Sequence, residues 1–158
     1  MRKALHTAVI AMAVLGALVG FSGSAHASAP NPNFVTTLVT FNSQTGLATS
    51  RLTDTFLAGD CFVSLGSEAT LSRPDSLGQS VLDWGGIVGT HHTNNFDQWH
   101  VTWTFRNSSG TVLAVLGPID GPQMSSTSVQ YLFNKPIPVH LSFDNWAHIA
   151  SATWRGEC

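Results

Sequence analysis

Charged side chains are scarce in this sequence. Asp, Glu, Lys and Arg make up 10% of its 158 residues, well under half of the roughly 25% usual for soluble globular chains. Charge-driven disorder and a coiled coil are both excluded, because the first needs a high net charge and few apolar residues and the second needs flanking charge pairs. Basic residues are scarcer still. Beyond Lys3 the chain has only Arg51, Arg73, Arg106, Lys135 and Arg155, against nine carboxylates. With no stripe of Lys or Arg to neutralise phosphates, nucleic acid is not expected as a partner, and the raw material for an electrostatic membrane anchor is missing too.

Cysteine is limited to Cys61 and Cys158. Neither stands in a C-x-x-C pair or at zinc-ligand spacing, so redox catalysis and a Cys-rich metal site lack support. The catalytic motifs are missing as well. There is no G-x-S-x-G: Pro74-Asp75-Ser76-Leu77-Gly78 puts proline where the first glycine should be. Lys135 has Leu132 three residues before it, which excludes S-x-x-K acyl transfer. No P-loop, dinucleotide fingerprint, H-E-x-x-H or EF-hand spacing occurs. Glu68 and Glu157 are the only glutamates and the aspartates are scattered, so spacing alone does not define a glycosidase pair of carboxylates.

What is present begins with an export signal. Arg2 and Lys3 form a positive start, Ala8 to Phe21 an apolar stretch, and Ala25-His26-Ala27 a small-x-small cleavage site. Residues 1–27 are therefore expected to be a secretory signal peptide, and 28–158 a single secreted, extracellular domain. Gly16, Gly20 and Ser22-Gly23-Ser24 interrupt a stretch barely long enough to span a bilayer, and no second apolar run of about 20 residues follows. No membrane contact is expected after cleavage. In an oxidising compartment, Cys61 and Cys158 then read as one disulfide.

Past the signal the period is that of strands. Alternating or β-branched runs at about 34–41, 47–57, 61–72, 79–88, 98–106, 111–117, 127–133, 137–143 and 146–155 are separated by Gly, Pro, Asn, Asp and Ser. The expectation is an all-β domain, an antiparallel β-sandwich or small closed barrel of about eight or nine strands. Trp99, Val101, Trp103 and Phe105 fall on one face of their strand, opposite His100, Thr102, Thr104 and Arg106. A turn at Asn107 to Gly110 should return the chain as an antiparallel partner. Gly85-Gly86 reads as a bulge or bend. Residues 117–126, with two prolines and two glycines, read as a long loop. Val139, Leu141 and Phe143 should form a hairpin with a last strand whose Trp146 and Trp154 share a face. The size and Trp and Thr content give a compositional likeness to small secreted β-barrels with one internal hydrophobic ligand, without any of their motifs.

One segment concentrates potential metal ligands: His91-His92-Thr93-Asn94-Asn95-Phe96-Asp97-Gln98-Trp99-His100. Imidazoles suit Zn or Cu, and His91 or His92 beside His100, with Asp97 as an oxygen ligand, would make a three-ligand site with an open position. His140 is a possible addition. The alternative is a solvated loop with no cofactor. The function expected first is a non-enzymatic binding domain that recognises an extracellular glycan or protein through its loops. A small extracellular enzyme using the His91, His92, Asp97 and His100 cluster, with or without metal, is the competing class. An inhibitor or toxin presenting Pro118 to Ser126 is the third.

Overall fold

The computed structural model describes residues 33–158, so the expected leader at 1–27 lies outside the described residues. The chain runs β1 (Asn33–Asn42), β2 (Leu47–Arg51), β3 (Phe56–Ala58), β4 (Cys61–Val63), β5 (Glu68–Ser72), β6 (Gln79–Thr90), β7 (Asp97–Arg106), β8 (Val112–Met124), β9 (Tyr131–His140), a short helix α1 (Phe143–Ala147), and β10 (Ser151–Glu157). Every ladder is antiparallel.

Two layers arise because β1 belongs to both. Its first half, Asn33 to Leu38, pairs with β10, and β10 continues into β7 and β8. Its second half, Val39 to Asn42, pairs with β2, which leads to β5, β6 and β9. A strand that changes sheets makes a corner, and the result is sandwich-like. The β3–β4 hairpin extends the second layer where β6 leaves β5. Gly85 and Gly86 stand at that change of partner, and a side chain on Gly86 would run into Ser67.

The sheet does not close into a barrel: among the described residues no ladder joins β8 to β9. Composition explains why. Pro118 and Pro122 lie in β8, and Pro136 and Pro138 in β9. Proline has no N–H to donate, so it is tolerated where that donor would face away from a partner strand. Two prolines on each facing edge remove donors on both sides of the gap.

The expected loop at 117–126 is therefore corrected: Gly117 to Met124 continue β8. Thr102 lies between the rungs Val101↔Ile119 and Trp103↔Leu116, so Gly117-Pro118 oppose a single residue. Gly121-Pro122 oppose Trp99 in the same way, between Gln98↔Gln123 and His100↔Asp120. Each Gly-Pro pair is thus absorbed by a β-bulge on an edge strand. Gly117 has φ 122, and a Cβ there would press on the Val101 carbonyl at 2.5 Å.

The last hairpin is corrected too. β9 runs from Tyr131 to His140 and pairs with β6, whereas Trp146 lies in α1 and only Ser151–Glu157 form the final strand. Ser142 caps the helix, accepting from the Asn145 N–H at 3.1 Å. The runs 47–57 and 61–72 each divide into two strands around a turn.

The alternation in β7 is as expected, with Trp99, Val101, Trp103 and Phe105 at most 2% exposed. Trp84 of β6 meets Trp103 of β7 edge-to-face at 5.3 Å, joining the layers, and Trp103 meets Trp154 at 5.3 Å. All five tryptophans are buried. They are the core.

Candidate functional site

The segment between β6 and β7 does not gather its four ligand candidates. Each side chain is occupied by a different neighbour. The His91 N–H donates to the Asp60 carbonyl at 2.8 Å, and its ring lies against Phe62, centroids 5.1 Å apart. His92 is exposed, its Nδ1 3.6 Å from Asp60 Oδ1. His100 points outward from β7, with Nδ1 2.7 Å from Asp120 Oδ1 on β8. His140 is at the opposite end of β6 from this loop, paired with Gln79, its Nδ1 3.0 Å from the Gly78 carbonyl.

Asp97 has a different setting. The Thr90 hydroxyl is buried and lies 2.5 Å from Asp97 Oδ2 and 2.7 Å from the His92 carbonyl. The Asp97 carboxylate also lies within 4.8 Å of both sulfurs of the Cys61–Cys158 disulfide. Among the described residues this is the one group of three or more His, Cys, Asp or Glu side chains with ligand atoms so close. With its sulfurs joined to each other, it offers a cation only the carboxylate.

The disulfide is present as expected, its Cα atoms 5.9 Å apart and 97 residues apart in sequence. Cys61 is fully buried. The bond ties the chain's last residue to the β3–β4 hairpin.

The basic side chains of the described residues each have a partner. Arg51 Nη1 is 3.5 Å from Glu68 Oε1, and Arg155 Nη2 is 2.6 Å from Glu157 Oε1. Arg73 lies over the Phe143 ring at 4.8 Å, Arg106 donates to the Gly110 carbonyl at 3.0 Å, and Lys135 reaches across the β8–β9 gap to the Asp120 carbonyl at 2.7 Å. Among the described residues, none of the five cations is left as part of a basic surface.

The outer face of the sheet carries a feature that sequence reasoning missed. Thr104, Thr153 and Thr36 stand opposite one another across β7, β10 and β1. Thr40, Thr49, Thr70 and Asp83 form a second row across β1, β2, β5 and β6. Hydroxyls within the rows meet: Thr36 Oγ1 is 2.9 Å from Thr153 Oγ1, and Thr49 Oγ1 is 3.1 Å from Thr70 Oγ1. A groove of ≈ 670 Å³ runs along this face, lined by Thr36, Leu38, Thr40, Asn42, Thr49 and Thr53 and ended by the Arg51–Glu68 pair. Glu68 also borders a second cleft of ≈ 420 Å³, with Thr70, Asp83 and Asn134. Glu68 and Asp83 are diagonal neighbours there, since their strands pair Glu68↔Gly85 and Thr70↔Asp83. Each strand's alternation marks these threonines as outward, but register alone aligns them.

No protein-family model matches the chain, and no curated protein or solved structure proves similar to it.

Proposed function

We propose that the protein is a secreted, non-enzymatic binding domain whose ligand is a neutral extracellular glycan, held on the outer sheet face rather than by the loops. The observation that carries this reading is the Thr40–Thr49–Thr70 row beside the Thr36–Thr153 pair. A pair of hydroxyls bonded to each other keeps one donor and several lone pairs free, and sugar hydroxyls are themselves donors and acceptors. The row spans three strand spacings, about 14 Å from Thr40 to Asp83. Leu38, 81% exposed between Thr36 and Thr40, adds an apolar contact for the C–H face of a sugar ring. The burial of all five tryptophans removes stacking on tryptophan as a basis for recognition.

Export rests on the leader pattern. A buried disulfide, and the absence among the described residues of a helix long and apolar enough to cross a membrane, are compatible with it.

The test is binding of the purified domain to a panel of neutral soluble and insoluble polysaccharides, followed by calorimetry on any that retain it. The variant Thr40→Val/Thr49→Val/Thr70→Val keeps shape and removes hydroxyls. Loss of at least about tenfold in affinity, about 1.4 kcal/mol, is the expected result. Undiminished binding by the variant, or retention of no glycan at all, would overturn the reading.

A further inference from the structure

We propose that reduction of the Cys61–Cys158 disulfide turns this corner of the fold into a site for a borderline-soft divalent cation such as zinc, with two thiolates and the Asp97 carboxylate as ligands. The inference does not depend on the glycan reading.

The three donors are already neighbours, every pair of ligand atoms lying within 4.8 Å. Zn–S bonds of about 2.3 Å and Zn–O bonds of about 2.0–2.2 Å in a tetrahedron set donors roughly 3.5–3.8 Å apart. The sulfurs must part from the roughly 2 Å of a disulfide bond to that spacing while the carboxylate oxygen closes on them, movements of about one to two ångströms of side chain, and the backbone that carries the donors is fixed by rungs other than the S–S bond. Cys61 pairs with Thr90, Asp97 with Met124, and Glu157, next to Cys158, with His100.

Two further observations favour a cation here. Asp97 is half-buried, yet among the described residues it belongs to none of the ion pairs, which are Arg51–Glu68, His92–Asp60, His100–Asp120, His148–Asp144 and Arg155–Glu157. The Thr90 hydroxyl at 2.5 Å from Oδ2 supplies the kind of outer hydrogen bond that orients a ligating carboxylate while leaving Oδ1 free. Two sulfurs and one oxygen select zinc or cadmium over magnesium or calcium, which prefer all-oxygen sites.

The chemistry balances with a phosphine as reductant. The S–S bond takes two electrons and two protons to give two thiols, and the phosphine with one water becomes phosphine oxide. The cation then displaces both thiol protons and adds the Asp97 carboxylate.

The experiment reduces the domain with a water-soluble phosphine, desalts it without oxygen and titrates it with Cd²⁺, following the sulfur-to-cadmium absorption in the ultraviolet. Zn²⁺ competition then gives the zinc affinity. One ion per reduced chain is expected, none on the oxidised protein, and at least about tenfold weaker binding by reduced Asp97→Asn. Equal affinity of reduced wild type and Asp97→Asn, or no stoichiometric binding, would overturn the proposal. Near-ultraviolet circular dichroism from the buried tryptophans reports folding in parallel. Should reduction abolish that signal, one equivalent of Zn²⁺ must restore it in the wild type and not in Asp97→Asn, and failure to do so also overturns the proposal.

Discussion

The indole N–H of Trp154 donates to Ser50 Oγ at 2.7 Å, linking β10 to β2 through the interior, although 104 residues separate them. Ser50 Oγ in turn lies 2.5 Å from Thr37 Oγ1 on β1, and both hydroxyls are buried. Three strands thus share one small polar network inside a core made mainly of aromatic and aliphatic groups. Such groups cost little when bonded and much when orphaned.

Ser50→Ala is therefore expected to lower stability by about 1–3 kcal/mol, because it strands the Trp154 donor and the Thr37 hydroxyl together. Urea unfolding followed by Trp fluorescence measures it. Thr49→Ala, one residue away on the outer face, is expected to stay within about 1 kcal/mol. Similar losses from the two variants would show that the network contributes nothing particular.

Trp103 is fully buried and packs edge-to-face on both Trp84 and Trp154. Trp103→Ala should cost about 3–5 kcal/mol, which is enough to unfold a marginal domain. Thr102→Ala, on the opposite face, should be close to neutral. The two midpoints in one denaturant series decide the matter, and equal effects would contradict the strand's facing.

The facing of β7 was legible from sequence because it depends on a period of two within ten residues. β8 was not, because proline and glycine read as a loop unless the strand is known to lie at an edge and to bulge opposite Thr102 and Trp99. Edge position is a property of the whole sheet. α1 left a trace in Ser142, an N-cap residue with Asp144 two positions later, but five residues are too few for a helical period to show. The partners of the candidate ligands were hidden for a related reason. His91 and His92 are adjacent in the chain, yet Phe62 and Asp60, some thirty residues earlier, are what they contact. Asp97 meets the two sulfurs only through the pairing of β4 with β6 and of β10 with β7, and no local spacing encodes that.

Gly156 marks a close approach between aromatic rings and backbone in the core. A Cβ there would run into the rings of Trp99 and Phe56. Gly156→Ala should destabilise by about 1–3 kcal/mol through overpacking, visible as a lower thermal midpoint, whereas Gly110→Ala meets no neighbouring atom and suffers only from its positive φ of 85. A neutral Gly156→Ala would mean that β10 and β7 lie further apart than they do here.

The paired substitution Cys61→Ser/Cys158→Ser should cost about 2–5 kcal/mol. Free-thiol titration of the unfolded, unreduced wild type should find none, and intact mass of protein from the culture medium should match a chain beginning at Ser28. Two reactive thiols, or a secreted species still carrying residues 1–27, would contradict the corresponding expectation.

Tyr131 is the chain's one tyrosine, so its ionisation can be read by itself. The Ser125 hydroxyl, followed by the Ser125 and Ser126 backbone N–H groups, favours the phenolate more than burial opposes it, which holds the phenol below its ordinary value of 10.0. The N–H groups lie 2.9 and 3.1 Å from the phenol oxygen. For an acid whose folded pKa lies below its unfolded one, the stabilising contribution is fully present above the unfolded value and vanishes as pH falls through the folded value. Tyr131 therefore adds nothing near neutrality and adds stability only as pH rises toward 10. An absorbance titration of the folded protein should give a midpoint below that of a free phenol, and Ser125→Ala should move it back up. A midpoint unchanged by Ser125→Ala would show that the hydroxyl does not act on the phenolate.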